Sequence, residues 1–173
     1  NFKWSHEEAK NKAYKALSLV GLEYELAEKS PLDISGGQKR RVAIAGILAI
    51  DPEVLVLDEP TAGLDPQGAK AMMELFVKLN KEEHKTILIV THDMEQVLTY
   101  CDNVVVMKDG KILTHQRVSD YFERVNQVNE IHMHLPPILA LKESLIEGGF
   151  KLEGEVTDID TLAKSIAKEL GYE

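Results

Sequence analysis

Apolar residues recur at helical spacing from Ala9 through Ala13, Ala16 and Leu17 to Val20, and the stripe stops at Gly21. Ser5 and Glu8 just ahead of it have the spacing of a capping box, so a first helix is predicted from that point. A short helical stretch follows over about Tyr24 to Lys29 and is stopped by Pro31. Ser35-Gly-Gly-Gln38 opens another helix, which runs through Arg41, Ile44 and Leu48 and ends near Asp51-Pro52. Val54 to Leu57 is an unbroken apolar run, which predicts a strand buried on both faces and ended by Asp58-Glu59-Pro60. Gln67 to Glu83 is amphipathic, with Met72, Met73, Leu75, Phe76 and Leu79 facing inward. Thr86 to Val90 reads as a second buried strand, and Asp93 as the cap of a short helix to Tyr100. Val104 to Met107 is a third strand, turned at Asp109-Gly110 into Lys111 to Leu113 as a hairpin.

Strands alternating with helices predict an α/β fold with a mostly parallel sheet and flanking helices. After about His115 the pattern changes. Val118 to Val128 reads as a helix, Leu135-Pro-Pro137 breaks the chain, and Ile138 to Glu147 and Asp160 to Leu170 read as two more. A short extended stretch, Lys151 to Val156, lies between those two. The expected organisation is a helical portion over 1–50, a core portion over 51–114 and a small α/β tail or lobe over 115–173.

Composition narrows the classes. Of 173 residues, 44% are apolar and 28% charged, which suits a globular α/β protein. The formal charge of −9 argues against nucleic acid as a partner, because phosphate backbones need a basic face. Cys101 is the single cysteine, so no intrachain disulfide forms and a reducing compartment fits. The longest apolar run, Val42 to Ile50, falls far short of the roughly 20 residues a bilayer span needs. No signal-peptide pattern opens the chain, and its start at Asn1, almost directly before a helix, reads as cut or processed.

The residue types that carry chemistry gather at the ends of elements. Asp58 and Glu59 close a buried strand, where ligands of open α/β sheets bind. Successive strand side chains point to opposite sides, so the two carboxylates take different jobs: one can hold Mg²⁺, usually through water, and the other can face an attacking water. Solvated acids at a strand end are the competing reading. Ser35, Gly36, Gly37 and Gln38 stand at a helix start, where free N–H groups and the helix dipole favour an anion and glycine lets a phosphate approach. A plain capping box is the alternative there. His92 follows the second strand, at the same carboxyl edge as Asp58 and Glu59, where a neutral imidazole can hydrogen-bond a phosphate or a water. The order of the three elements favours one shared site.

In that order the residues resemble a known family, the ABC-type ATPases. Ile34-Ser-Gly-Gly-Gln-Lys-Arg-Arg-Val-Ala-Ile-Ala45 resembles the ABC signature, Val54 to Glu59 a Walker B strand, Pro60 to Asp65 the D-loop, and Thr91-His-Asp93 the switch histidine. The resemblance covers about Ile34 to Gly110 and implies part of a P-loop NTPase domain. It implies ATP and Mg²⁺ as cofactors, Asp58 as the Mg²⁺ carboxylate, Glu59 as the catalytic base and His92 as the γ-phosphate sensor. It further implies that Asp65 makes a D-loop contact across a dimer, and that Ser35, Gly36, Gly37 and Gln38 bind the γ-phosphate of ATP held by the other subunit. One departure stands out: the sequence contains no Gly-x-x-x-x-Gly-Lys-Ser/Thr, so the Walker A cradle is missing, as is the Q-loop. The resemblance therefore implies a C-terminal portion of such a domain, expected to expose apolar sheet edge and helix surface.

The tail refines the resemblance. Lys111 to Thr114, Tyr121 to Arg124 and Leu135-Pro-Pro-Ile-Leu-Ala-Leu141 are similar to the cobalt-type, energy-coupling factor (ECF) transporter ATPases. That likeness implies a peripheral subunit on the cytoplasmic face of the membrane, paired with a second ATPase. It implies a transmembrane coupling subunit as a further partner, and a membrane subunit that binds a metal-ion or vitamin cargo. A non-transport ABC ATPase and a catalytically silent dimerisation module are the competing functions. His132-Met-His134 offers too few ligands for a metal site. Lys39, Arg40 and Arg41 read as solvated or phosphate-steering charges, and Cys101 as an inert small apolar residue.

Overall fold

The Ser5 hydroxyl accepts the Glu8 backbone N–H at 3.2 Å while the Glu8 carboxylate accepts the Ser5 N–H at 2.7 Å. This reciprocal cap starts helix α1, His6–Leu19, in a computed structural model that describes residues 3–125 and 135–172. The described elements fall into two compact units, Asn1–Val90 and Thr91–Glu173. His132-Met-His134 lies outside the described residues.

In the first unit α1 packs on α2, Gly36–Leu48; Ala16 of α1, its C-cap Val20, and Ile44, Ala45 and Leu48 of α2 are buried. The stretch Tyr24–Glu28 between them is a 3₁₀ turn. Strand β1, Val54–Asp58, pairs in parallel with β2, Thr86–Val90, in register from Val54 opposite Thr86 to Asp58 opposite Val90. The crossover is α3, Pro66–Lys81. Its boundaries follow from its ends: Asp65 caps it, Pro66 occupies the first turn where its missing N–H costs nothing, and Lys78 and Lys81 face the negative end of the dipole. Met72, Met73, Leu75, Phe76 and Leu79 are all buried, as their spacing predicts.

One expectation is corrected here. The apolar run of β1 is buried on one face only: Leu55 and Leu57 are buried, whereas Val54 is 49% and Val56 67% exposed. On β2, Leu88 and Val90 are likewise 51% and 56% exposed. The reason is geometric. Side chains alternate across a strand, α3 packs against this two-stranded sheet, and among the described residues no element covers the opposite face. Apolar sheet surface is thus open, as the missing Walker A cradle led us to expect.

In the second unit α4, Met94–Tyr100, leads to β3, Asn103–Lys108, which pairs antiparallel with β4, Lys111–Arg117. Asp109 and Gly110 both have positive φ, 51° and 72°, which the tight two-residue turn of this hairpin requires. Helix α5, Val118–Val125, packs Val118, Tyr121 and Phe122 into a core with Val97, Leu98, Val104 and Leu139. Helices α6, Pro137–Glu147, and α7, Ile159–Glu169, pack together. The stretch between them forms no strand; it is held instead by Ser165 donating to the Glu153 carbonyl at 2.8 Å.

Candidate functional site

The start of α2 is built by its own sequence. The Ser35 Oγ accepts the Gln38 N–H at 3.2 Å and the Gln38 side-chain oxygen accepts the Ser35 N–H at 2.9 Å. The capping-box reading is thus observed, and it does not conflict with anion binding at the same helix start. The box consumes one Ser35 acceptor site and leaves its hydroxyl proton to donate elsewhere. The glycines tell more. Gly36 and Gly37 sit inside the helix without positive φ, and a Cβ built on either meets nothing within 4 Å. Neither backbone strain nor internal crowding calls for glycine at these positions. Gly46 of the same helix shares both features, so what sets Gly36 and Gly37 apart is their place at the helix start, where glycine leaves room beside the first backbone N–H groups.

At the other end of the same unit, Asp58 is the exposed last residue of β1. Glu59 prolongs the pairing, its N–H donating to the Val90 carbonyl at 2.9 Å, and then departs from strand geometry with φ at 43°. A turn follows in which the Ala62 N–H donates to the Glu59 carbonyl at 3.1 Å. Thr61 is buried within it. Asp65 ends the segment as the α3 cap, its Oδ1 accepting the Gly68 N–H at 2.9 Å.

Arg40 connects the two ends of this unit. Its guanidinium donates to the Glu59 carbonyl and to the Ala62 carbonyl, both at 2.6 Å. Arg41 donates to the Val20 carbonyl at 3.4 Å. Neither arginine is merely solvated or phosphate-steering, which corrects the reading from sequence. The physical reason was present in the pattern. Arg40 and Arg41 precede Ile44 and Ala45 by one helical turn and so share the inward stripe of α2. A cation on a buried stripe needs acceptors, and backbone carbonyls supply them.

His92 opens the second unit and is exposed. Its neighbours form the cap of α4: Asp93 accepts the Gln96 N–H at 3.1 Å, and the Thr91 hydroxyl accepts the Asp93 N–H at 3.1 Å. Cys101 packs against the apolar core of that unit, and burial pushes its thiol pKa up, with Asp102 adding to the shift. Since the thiolate is the reactive form, Cys101 is expected to alkylate with iodoacetamide at pH 8 several-fold more slowly in the folded protein than in urea. Equal rates in the two states would contradict its inert role.

Among the described residues, no three His, Cys, Asp or Glu side chains gather as a metal cluster. Mg²⁺ does not need one, because it commonly takes one or two carboxylates and fills its shell with water and substrate phosphate. Asp58, exposed at a strand end, fits that pattern.

Comparison with known proteins accords with these elements. The ABC transporter family profile matches residues 2–62, which include the α2 start and the Asp58-Glu59 strand end. The energy-coupling factor transporter ATP-binding protein EcfA2 of Enterococcus faecalis is 46% identical over 170 residues, covering 98% of this chain and 59% of its own length. Residues 2–62 thus match the ABC transporter family, and nearly the whole chain is similar to an ABC-type ATP-binding protein. EcfA2 of Bacillus anthracis is 44% identical over 171 residues, again with 98% of this chain and 58% of the relative. Among solved structures, cbiO1 from Clostridium perfringens, part of the ABC transporter complex cbiONQ, superposes with a TM-score of 0.66 at 43% identity. That match covers 83% of this chain and 57% of cbiO1. The ATP-binding cassette MJ0796, solved as a dimer bound to ADP and Pi, gives 0.56 at 35% identity over 68% of this chain and 50% of its own. The fold is that of part of an ABC ATPase P-loop domain, and the chain spans rather more than half the length of the curated ABC ATPases it matches.

Proposed function

We propose that this chain is part of an ATP-hydrolysing subunit of an energy-coupling factor importer, and that it contributes two half-sites to a dimer of ATPases. One half-site is the start of α2, where Ser35, Gly36, Gly37 and Gln38 receive the γ-phosphate of ATP held by the partner subunit. The other is the β1 end, where Asp58 holds Mg²⁺ and Glu59 acts as general base, with Asp65 contacting the partner; His92, in the second unit, is assigned separately as a contact of the γ-phosphate. Mg²⁺, when bound, neutralises charge on the phosphates; Glu59 takes the proton of the attacking water.

The observation that carries this reading is the place of the glycine pair: the first two positions of a helix capped by Ser35, with open space where a side chain would stand. The relatives' names support the ECF transporter class, and with that class goes the proposed peripheral place on the cytoplasmic face of a membrane. No described helix is long and apolar enough to cross a bilayer. The partners proposed are a second ATPase, a transmembrane coupling subunit and a membrane subunit that binds cargo of the metal-ion or vitamin class. The phosphate cradle that this sequence lacks is supplied by a further segment of the same protein, a reading supported by the greater length of the relatives. By itself the chain is expected not to turn over ATP.

Ser35→Arg tests the trans half-site. It is expected to abolish ATP-driven association of two subunits while ATP binding to one subunit stays intact, read by sedimentation and nucleotide titration. Losing the cap costs about 1 kcal/mol, so Ser35→Asp is the paired control: it keeps the cap but sets a carboxylate against the phosphate. Normal ATP-driven association of both variants would refute the assignment.

A further inference from the structure

Glu59 shares with Asp51 and His84 a positive φ uncommon for non-glycine residues, and of these three described residues of the first unit it is the one at the candidate site. Its φ of 43° lies in the left-handed region, where a residue with a long side chain is uncommon and pays a steric cost. Such a conformation persists only where its surroundings enforce it. Three hydrogen bonds do so. The Glu59 N–H is fixed by the Val90 carbonyl, and the Glu59 carbonyl accepts both the Ala62 N–H and the Arg40 guanidinium. The second arm of Arg40 takes the Ala62 carbonyl, so one rigid planar fork grips both ends of the Glu59–Ala62 turn. Charge assistance shortens these two contacts to 2.6 Å. Arg40 itself stands one turn inside α2, whose first residues form the proposed phosphate site.

We propose that Arg40 is a positioning residue for ATP hydrolysis: by clamping the Glu59 and Ala62 carbonyls it holds Glu59 in the left-handed conformation that aims its carboxylate, and it fixes that conformation to the signature helix. The inference rests on the reading of Glu59 as general base. Arg40 need not touch nucleotide for this. Its effect belongs in the chemical step, because a base misplaced by about 1 Å can lose about 100-fold in rate while the substrate still binds.

The experiment uses the complete ATPase, assembled with its partner subunit. Arg40→Met is expected to lower kcat by about 100-fold with KM for ATP changed less than about twofold. Arg40→Lys, with its charge kept but without the fork, is expected to recover only part of the loss. Added to Glu59→Gln, Arg40→Met should cost less than about twofold further, since residues acting through one group are not additive. The proposal is overturned if Arg40→Met keeps kcat within about twofold of the parent, or if its fall in kcat comes with matching losses in ATP binding and thermal midpoint. Should Arg40→Met fail to fold, Arg40→Lys decides by the same two criteria. If Glu59→Gln leaves kcat unchanged, the general-base reading fails and the positioning role goes with it. If Glu59→Gln stops turnover and Arg40→Met does not, the Arg40 inference alone fails.

Discussion

Glu59→Gln is expected to lower ATP turnover of the complete protein by about 10²- to 10⁴-fold, the usual contribution of a general base. ATP binding should survive. The amide is nearly isosteric and keeps the backbone hydrogen bonds of Glu59 to Val90, Ala62 and Arg40, none of which uses the carboxylate. The variant should therefore accumulate an ATP-bound closed dimer, visible as a higher sedimentation coefficient in ATP than the parent shows. Asp58→Asn should behave differently, because it weakens the Mg²⁺ carboxylate and so raises the Mg²⁺ concentration needed for turnover. Unchanged hydrolysis by Glu59→Gln would refute its role. Turnover by the present chain alone, abolished by the same change, would refute the dependence on a phosphate cradle elsewhere.

Phe76→Ala is expected to cost about 3–5 kcal/mol of stability, the largest structural effect we foresee from one side chain. Phe76 is 2% exposed and shares the buried face of α3 with Met72, Met73, Leu75 and Leu79. Removing the ring loses its transfer free energy and leaves a cavity that a packed helix cannot close. The effect should carry to the site, since α3 follows the Glu59–Ala62 turn through its Asp65 cap. The urea midpoint of unfolding measures it. Phe76→Leu keeps most of the volume and should cost less than about 1.5 kcal/mol. Similar midpoints for Phe76→Ala and the parent would show that this face of α3 contributes little.

Much of the framework was legible because it is decided locally. Ser5 with Glu8, and Ser35 with Gln38, satisfy orphan helix N–H groups within four residues, so the spacing alone predicts both helix starts. Asp109-Gly110 demands a positive-φ turn, and the hairpin follows from it. The five apolar positions of α3 lie on one face by helical geometry, whatever they pack against. The burial of β1 was not legible. An apolar run announces that a strand can be covered on both faces, but cover comes from other elements, and Val54 and Val56 stay largely exposed among the described residues. The unit boundary between Val90 and Thr91 was equally hidden, because it depends on which elements pack together.

The candidate site divides along the same line. Sequence by itself determined the order and residue types from which the site is proposed: Ser35 to Gln38 at a helix start, Asp58 and Glu59 at a strand end, Asp65 and His92 following in order. Those assignments rest on residue type and on short-range geometry, which the chain carries with it. Only the tertiary structure decided what holds Glu59. The Arg40 fork reaches the Glu59 and Ala62 carbonyls, 19 and 22 residues along the chain from Arg40 and brought within 2.6 Å of it by folding. A guanidinium can satisfy many acceptors, and no local rule says which carbonyls will face it once α2 and the β1 end have packed.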